Sequence, residues 1–197
     1  MSKTALLLID LQNDFLHEAG AYARGGQRLP DAAALLERVV PLVQAVRAAG
    51  GTIISTQFTL VPGRGGEPLI APHLQQLRPF LRKGDFCPGS WGHSVVEELQ
   101  PVDFVIEKVA YSAFYQSRLE FVLRKIGVEQ LLMAGIVTNG GVASTLRDAH
   151  VHGYDTVLVH DGCAAFTAAA HQETVAALKH MSMVMGCNEV LSQLDRG

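Results

Sequence analysis

Short runs of consecutive apolar residues alternate along this chain with longer amphipathic stretches. Because the runs contain no regular polar positions, they are typical of strands buried on both faces, as in a parallel sheet between helical layers. The pattern predicts an α/β fold, namely a three-layer α-β-α, Rossmann-like, doubly wound domain with a mainly parallel six-stranded sheet. The predicted strands cover residues 5–9, 52–55, 104–106, 130–134, 156–159 and 183–185.

Helix-start residues precede several of the amphipathic stretches. Pro41 lies inside the first of these stretches, where we expect it to kink or interrupt the helix. The predicted starts are Asp31 for a helix that ends near Ala48, a capping box from Ser117 to Glu120, Thr138 or Asn139 for a helix through Leu146, and Thr167 for a helix through Leu178.

Polar residues and glycines follow the predicted strands at their carboxyl ends. Asp10 closes the first strand, Gln57 and Lys108 follow the second and third, residues 138–141 follow the fourth, and Asp161 follows the fifth. In doubly wound sheets, ligands bind beyond the carboxyl ends of the strands. We therefore expect these residues to surround one site.

The stretch from Gln57 to Trp91 carries few strand or helix signals. Loops of this length in a compact domain are usually functional or disordered. We interpret it as a cover over the site, with residues 62–66 as its most mobile part. Residues 86–92 are expected to bring an aromatic edge to the site.

Length and composition favour one compact domain over residues 1–197, since 48% of the residues are hydrophobic. A formal net charge of -3 provides no basic field for nucleic acid, so the expected partner is a small-molecule substrate. The first residues lack the pattern of a signal peptide, and no apolar run reaches the roughly 20 residues of a membrane span. A cytoplasmic protein without membrane contact is expected.

Cysteine and histidine spacing gives no sign of a metal site or a disulfide framework. The three cysteines, Cys87, Cys163 and Cys187, are odd in number and lack CxxC spacing. None of the eight histidines forms an HxH or HExxH arrangement. No metal and no other cofactor is expected.

Asp10 and Lys108 are the strongest candidates for catalytic chemistry. Burial raises a carboxyl pKa and a nearby ammonium lowers it, so a carboxyl at this strand end can serve as a tunable proton carrier. A buried ammonium needs an anion, and Asp10 is the obvious partner of Lys108. The structural alternatives are that Asp10 only bonds the following loop and that Lys108 extends to solvent. Glu107 should point away, by strand alternation.

Gly140 and Gly141 lie where the fourth strand leads into a helix. Backbone N–H groups at a helix N-terminus favour negative charge, so this turn is a candidate anion or oxyanion site. No side chain is available at Gly141 to attack a carbonyl.

Five segments in order resemble the isochorismatase-like hydrolase family of the cysteine hydrolase superfamily: residues 8–15, 107–114, 135–148 and 161–165, and His171. The resemblance implies an Asp-Lys-Cys triad in most members, with the nucleophilic cysteine aligned to Gly141. A smaller branch, the true isochorismatases, carries glycine there and hydrolyses a vinyl ether without a covalent intermediate. The resemblance further implies a cis peptide at 136–137, a structural His171, and a homodimer or higher homo-oligomer.

Several residues near the strand ends are expected to contact substrate. Gln57 is polar at the end of an apolar strand, and aromatic side chains cluster nearby. Cys163 and Cys87 are the remaining thiols near the site, and both are expected to be structural. The predicted catalytic positions are Asp10, Lys108 and the vacant Gly141, and the predicted substrate contacts are Phe15, Gln57, Trp91, Tyr111, Val137, Thr138, Asn139 and Gly140.

Three functions are compatible with these residues. The leading hypothesis is a non-covalent hydrolase of an isochorismate-type vinyl ether, in which Asp10 transfers a proton and Lys108 orients it and binds a substrate carboxylate. The second is an amidohydrolase whose catalytic cysteine is lost or mutated to Gly141. The third is a noncatalytic ligand-binding relative. Retention of both charges favours an enzyme, because a buried ion pair is commonly no more stabilising than apolar replacements.

Overall fold

The computed structural model describes residues 3–194. Its six strands are β1 (Thr4–Ile9), β2 (Thr52–Phe58), β3 (Phe104–Lys108), β4 (Gln130–Ile136), β5 (Asp155–Ala164) and β6 (Met183–Met185). Its α-helices are α1 (Asn13–Leu16), α2 (Ala21–Arg24), α3 (Ala32–Ala48), α4 (Pro72–Leu77), α5 (Leu119–Lys125), α6 (Ala143–Val151), α7 (Ala168–Leu178) and α8 (Cys187–Leu194). A 3₁₀ turn covers Glu97–Leu99, and a π-helical turn covers Thr138–Val142.

The strands form one sheet in the order β3-β2-β1-β4-β5-β6, and every neighbouring pair is parallel. The predicted fold class is confirmed. The chain winds outward from β1 to β3 and then returns to place β4 on the other side of β1. The strand order therefore reverses between β1 and β4, which is where open α/β sheets bind ligands.

Alternate residues of β1 enter two separate apolar cores. Leu6 and Leu8 of β1 pack with α3 and α8 on one face, whereas Leu7 and Ile9 pack with α5, α6 and α7 on the other. Both faces of β1 are fully buried, which explains its unbroken apolar sequence. A third cluster, rich in aromatic side chains, lies at the carboxyl ends of the strands beneath the long loop.

The predicted strands are correct in number but several end too early. β2, β3 and β4 continue two or three residues further, so Gln57 and Lys108 lie within strands rather than after them. β5 runs to Ala164 with a register irregularity opposite β4, which places Asp161 inside the strand. There its carboxylate accepts the N–H of Cys187.

Helix starts follow the sequence signals only in part. Thr167 caps α7 as predicted, because its hydroxyl accepts the N–H of Ala170. The predicted capping box is wrong: Ser117 accepts the Leu119 N–H, but Glu120 pairs with Arg124 instead of bonding back. α3 passes through Pro41 without interruption. Asp31 precedes α3 but makes no side-chain cap, and neither Thr138 nor Asn139 caps α6, which starts at Ala143 after the π-helical turn.

The predicted cover is partly structured. α4 lies within it, and a short antiparallel bridge joins Pro62 to Pro68. Phe86 from its second half is fully buried among Phe15, Tyr22 and Phe58, so it supports the site from below. Within residues 3–194, no helix has both the length and the apolar character needed to cross a bilayer.

Candidate active site

Asp10 directly follows β1 and has a backbone conformation that few residues adopt. Its φ is 57°, in the left-handed region, where Asp and Asn are among the best-tolerated side chains other than glycine. The Asp10 N–H donates to the carbonyl of Thr56 at 3.2 Å, and its carbonyl accepts from Gln12 at 2.8 Å. This turn aims the buried carboxyl across β2 towards β3.

The Asp10 carboxyl receives two donors. Lys108 Nζ lies 2.7 Å from Oδ2, and the Thr56 hydroxyl donates to Oδ1 at 2.9 Å. Burial raises the pKa of Asp10 above its usual value, while the Lys108 ammonium and the Thr56 hydroxyl partly oppose that shift. The predicted pairing with Lys108 is confirmed as a contact. A proton on this carboxyl is therefore easier to keep than on an exposed aspartate.

Lys108 is the last residue of β3 and is 2% exposed. Besides the contact with Asp10, its ammonium donates to the carbonyl of Ala110 at 2.9 Å and lies 5.6 Å from the centre of the Phe58 ring. It does not extend to solvent. The neighbouring Glu107 is exposed on the opposite face, as strand alternation predicts.

Gln12 positions the strands that carry these charges. It is fully buried, its amide nitrogen donates to the carbonyls of Phe58 and His93, and its amide oxygen accepts the Phe58 N–H at 2.8 Å. The side chain thereby fixes the end of β2 against the loop after β1. A polar residue next to a buried strand is the only feature of the sequence that indicates this role.

Asp14 has a structural role. Its carboxylate accepts the N–H groups of Ala21 and Phe86, at 3.0 and 2.7 Å. A Cβ at Gly92 would lie 2.3 Å from that carboxylate, so only glycine allows this close approach. These bonds hold α2 and the cover against the start of the chain.

The turn after β4 lies opposite Asp10 across the switch point. The Ile136–Val137 peptide is cis, as the family resemblance implied. A Cβ at Gly135 would lie 2.2 Å from the carbonyl oxygen of Ile9, and its φ of 133° also requires glycine. The absence of a side chain at Gly135 lets the backbones of β4 and β1 converge here.

Gly141 borders the carboxyl of Asp10. A Cβ built on Gly141 would lie 3.1 Å from Asp10 Oδ2, 3.2 Å from the Ile136 carbonyl oxygen and 3.3 Å from a methyl group of Ile9. The glycine thus opens a small space directly against the carboxyl. The Gly140 N–H donates to the carbonyl of Val137 at 2.9 Å, so this N–H of the predicted anion site is not free for a ligand.

The space beside Asp10 opens into a cavity of about 100 Å³ that is partly open to solvent. Six of the predicted site residues line this cavity: Asp10, Phe15, Lys108, Tyr111, Val137 and Gly141. Residues that sequence reasoning did not select complete its wall: Tyr22, Phe58, Ile70, Leu74, Arg78, Val109, Ala110 and Phe166. The lining is mainly apolar, and Ile70 to Arg78 belong to the predicted cover.

The other predicted substrate contacts lie elsewhere. Gln57 is on the opposite face of β2 from Thr56 and Phe58, so the strand turns it away from the cavity. Trp91 is 52% exposed and packs edge-on against His17, outside the cavity.

Three residues of the turn after β4 also fall outside the cavity lining. The Thr138 hydroxyl is 2.9 Å from His171 Nδ1, which gives His171 the structural role expected of it. Asn139 is exposed. Gly140 lies behind the Tyr111 ring, and a Cβ on Gly140 would be 3.3 Å from that ring.

No cysteine lines the cavity within residues 3–194. Cys163 is buried with its Sγ 3.7 Å from the carbonyl of Met133, and burial raises its pKa to about 12. Burial also raises the pKa of Cys187 to about 12. Cys87 is half-buried in the cover. The thiols of Cys163 and Cys187 therefore carry little thiolate at neutral pH, and Cys163 fits the structural role predicted for it. In the same part of the chain, no three His, Cys, Asp or Glu side chains converge as metal ligands.

Comparison with known proteins identifies the family. Residues 4–189 match the model of the Isochorismatase domain, and the chain therefore belongs to the isochorismatase family. It is a hydrolase of the isochorismatase-like class, as the sequence motifs predicted.

Two curated relatives carry the same printed name, ureidoacrylate amidohydrolase RutB. The protein from Pantoea ananatis is 32% identical over 170 residues, which cover 81% of this chain and 68% of the relative. The protein from Yersinia enterocolitica is 33% identical over 171 residues, covering 81% of this chain and 74% of the relative.

Solved structures share the whole fold. A cysteine hydrolase from Pseudomonas syringae pv. phaseolicola superposes with a TM-score of 0.85 at 24% identity, over 99% of this chain and 93% of that one. The nicotinamidase PncA from Bacillus subtilis gives a TM-score of 0.73 at 26% identity, over 93% of this chain and 99% of that one.

Proposed function

We propose that this protein hydrolyses a C–N bond of a small amide or ureide by direct attack of water, without a covalent enzyme intermediate. Two kinds of relative support the choice of bond, because amidohydrolases and a nicotinamidase are among the similar proteins. The choice of a C–N bond follows the second hypothesis from the sequence, that of an amidohydrolase. The absence of a thiol nucleophile follows the first hypothesis, that of a non-covalent hydrolase.

The observation that carries the proposal is the space between Gly141 and Asp10. A Cβ on Gly141 would lie 3.1 Å from Asp10 Oδ2, so the missing side chain leaves this side of the carboxyl uncovered. A water molecule that contacts Gly141 from the cavity would donate to the carboxylate. It would therefore stand where the resemblance implies a cysteine nucleophile in other family members.

In the proposed reaction, the ionised Asp10 takes a proton from this water as its oxygen bonds to the carbonyl carbon. Electrons from the carbonyl double bond move to its oxygen, and they return when the C–N bond breaks. The proton held by Asp10 then passes to the leaving nitrogen. The products are a carboxylic acid, or a carbamic acid from a ureide, and an amine or ammonia.

Lys108 has two functions in this scheme. Its contact with Asp10 keeps the carboxyl oriented and opposes the effect of burial on its pKa. A lysine ammonium has three N–H donors, and the contacts with Asp10 and Ala110 account for two of them. The third is available to the negative oxygen of the tetrahedral intermediate. The Gly140 N–H does not bind that oxygen, because it donates to the carbonyl of Val137.

Vinyl-ether hydrolysis is the second candidate. Burial raises the pKa of Asp10, and a protonated carboxyl can deliver a proton to carbon. This reaction also needs no thiol. It uses Asp10 in the opposite protonation state from amide hydrolysis, so the two candidates differ in their pH dependence.

A substrate panel tests the proposal. Ureido acids, small amides and enol ethers of pyruvate are incubated with the wild type, and release of ammonia or of pyruvate is measured separately. We expect ammonia release that Asp10→Asn abolishes and the matched control Asp155→Asn retains, since Asp155 is exposed at the start of β5. Pyruvate release alone would instead support the vinyl-ether candidate. No turnover of either class at high protein concentration would favour the noncatalytic relative.

A further inference from the structure

Arg78 places a guanidinium group in the cavity wall. It follows α4 in the cover and is half-buried. Its Nε donates to the Tyr22 hydroxyl at 2.8 Å, and one of its terminal nitrogens donates to the Tyr111 hydroxyl at 3.2 Å. All three side chains line the cavity that contains Asp10 and Lys108. Two phenols thus hold the arginine in one orientation.

The charge of Arg78 is not balanced by the protein. Within residues 3–194, no carboxylate lies within salt-bridge distance of it. Asp10 is paired with Lys108, and Asp85 is paired with Arg24. Lys108 is thereby largely neutralised, whereas the guanidinium of Arg78 keeps its positive charge at the cavity.

The cluster also has unused hydrogen-bond donors. A guanidinium has five N–H groups, and the described contacts of Arg78 use two of them, both with phenol oxygens as acceptors. Each phenol accepts from Arg78, so its own O–H proton remains free to donate to a ligand. The group therefore offers donors to an acceptor with several lone pairs and offers it no carboxylate.

The remaining wall is suited to hydrocarbon. Phe58, Ile70, Leu74, Val137 and Phe166 line the rest of the cavity. A ligand in the cavity would meet the pair of Asp10 and Lys108, apolar side chains, and the guanidinium of Arg78.

We infer that Arg78, with Tyr22 and Tyr111, binds the carboxylate of the substrate, so that the substrate is a small acid with an apolar part in addition to its scissile group. The planar fork of the guanidinium matches a carboxylate, and one cation balances one negative charge. This assignment replaces Lys108, the carboxylate partner that the sequence suggested. The identity of the scissile group rests on the proposed function, whereas the binding of the acid group by Arg78 does not.

Binding of an acid and its neutral analogue separates this inference from catalysis. Crotonate and crotonamide are titrated into the wild type at neutral pH, and affinity is measured by calorimetry or by ligand-observed NMR. We expect crotonate to bind about 10- to 100-fold more tightly, the range for a hydrogen-bonded charged pair. Arg78→Gln should remove that preference, and Arg78→Lys should restore part of it.

Matched variants keep the result specific. Arg82→Gln removes an exposed arginine from the same segment and should leave both affinities unchanged. Tyr111→Phe removes one phenol donor with little loss of volume and should weaken crotonate binding selectively. Thermal unfolding of each variant confirms that it is folded.

The outcomes distinguish this inference from the proposed hydrolysis. Turnover of amides with equal rates for acidic and neutral substrates would retain the hydrolase and overturn the role of Arg78. Equal affinity of the wild type for crotonate and crotonamide, no crotonate binding at millimolar concentration, or an equal loss in Arg82→Gln would also overturn it. Arg78-dependent crotonate binding without turnover would support the acid site and contradict the hydrolase.

Discussion

The Asp10 carboxylate and the Lys108 ammonium are 2.7 Å apart, with 6% and 2% of their side chains exposed. They come from β1 and β3, strands separated in the sheet by β2, and Thr56 of β2 also donates to Asp10. Taking both charges out of water is unfavourable unless geometry compensates it. The stability of the ion pair therefore depends on the strand register that brings the two side chains together. Substitutions of Asp10 and Lys108 should thus have measurable effects.

Asp10→Asn should abolish turnover while the fold survives. Asparagine tolerates the left-handed backbone conformation of Asp10 and can still accept from Thr56, but it cannot take up a proton. We expect turnover to fall about 10²- to 10⁴-fold, the usual contribution of general acid–base catalysis. Turnover and thermal unfolding are measured on the same preparation. Wild-type activity in the folded variant would remove Asp10 from the mechanism.

The pH–rate profile should have an acidic limb set by Asp10. If Asp10 acts as the base for water, kcat/KM falls as pH decreases through the pKa of Asp10, which burial raises above its usual value. In the vinyl-ether mechanism Asp10 acts as an acid, so kcat/KM would instead fall as pH increases through the same pKa. Measuring kcat/KM between pH 4 and 9 on a substrate without a titrating group therefore decides the protonation state that reacts.

Lys108→Met should destabilise the fold most at neutral and higher pH. Removing the ammonium raises the pKa of Asp10 further and leaves a buried carboxylate without its partner, at a cost of about 3–5 kcal/mol. A group whose folded pKa is raised loses its stabilising contribution as pH rises through that pKa. Acidification should thus recover stability in this variant.

The double variant Asp10→Asn, Lys108→Met provides the control for that prediction. It contains no buried charge at this position, so most of the lost stability should return although activity does not. Denaturant unfolding at pH 5 and pH 8 measures both effects. Equal stability of Lys108→Met and the wild type at both pH values would show that the ion pair contributes nothing to the fold.

Thiol reagents should leave activity intact. Cys163 and Cys187 are buried with pKa values raised to about 12, and no cysteine of residues 3–194 lines the cavity. Catalysis by water forms no bond to sulfur, so intact-mass spectrometry during turnover should find unmodified protein. Inactivation by iodoacetamide that substrate prevents, or a substrate adduct on Cys87, would contradict the mechanism.

The sequence predicted the scaffold better than the walls of the site. Asp10 and Lys108 could be located because a charge beside a doubly buried strand is unfavourable without a partner, and because parallel strands gather their carboxyl ends at one edge. Gln57 was wrongly predicted to contact substrate because β2 continues past it, so strand alternation turns its side chain to the face opposite Thr56 and Phe58.

Arg78 and Gln12 could not be identified in the same way. Arg78 reaches the cavity only because the cover folds back over the strand ends, and that path depends on long-range packing of Phe86 and Asp14. Gln12 bonds backbone groups 46 and 81 residues away. Neither separation leaves a periodic signal in the sequence. Trp91 was wrongly predicted to contact substrate, because this aromatic residue of the cover packs on the surface against His17.

Gly141→Ala tests whether the space beside Asp10 holds the attacking water. The added methyl group would stand 3.1 Å from Asp10 Oδ2 and would fill that space. The contact is tight but not severe, so we expect a stability loss of about 1–3 kcal/mol, as for other small overpacking changes. Turnover should fall much further than stability, because the methyl group excludes water from the carboxylate.

Gly141→Cys then shows whether Gly141→Ala is inactive only because its methyl group excludes the attacking water. Its thiol would lie beside the Asp10 carboxylate, which can take the thiol proton, and the thiolate could attack an amide carbonyl. We expect Gly141→Cys to recover amide hydrolysis that Gly141→Ala lacks, through an acyl adduct visible by intact-mass spectrometry. A vinyl ether offers no carbonyl carbon for acylation, so for that substrate Gly141→Cys should be as slow as Gly141→Ala. Equal activity of Gly141→Ala and the wild type on amides would show that the water attacks from another position.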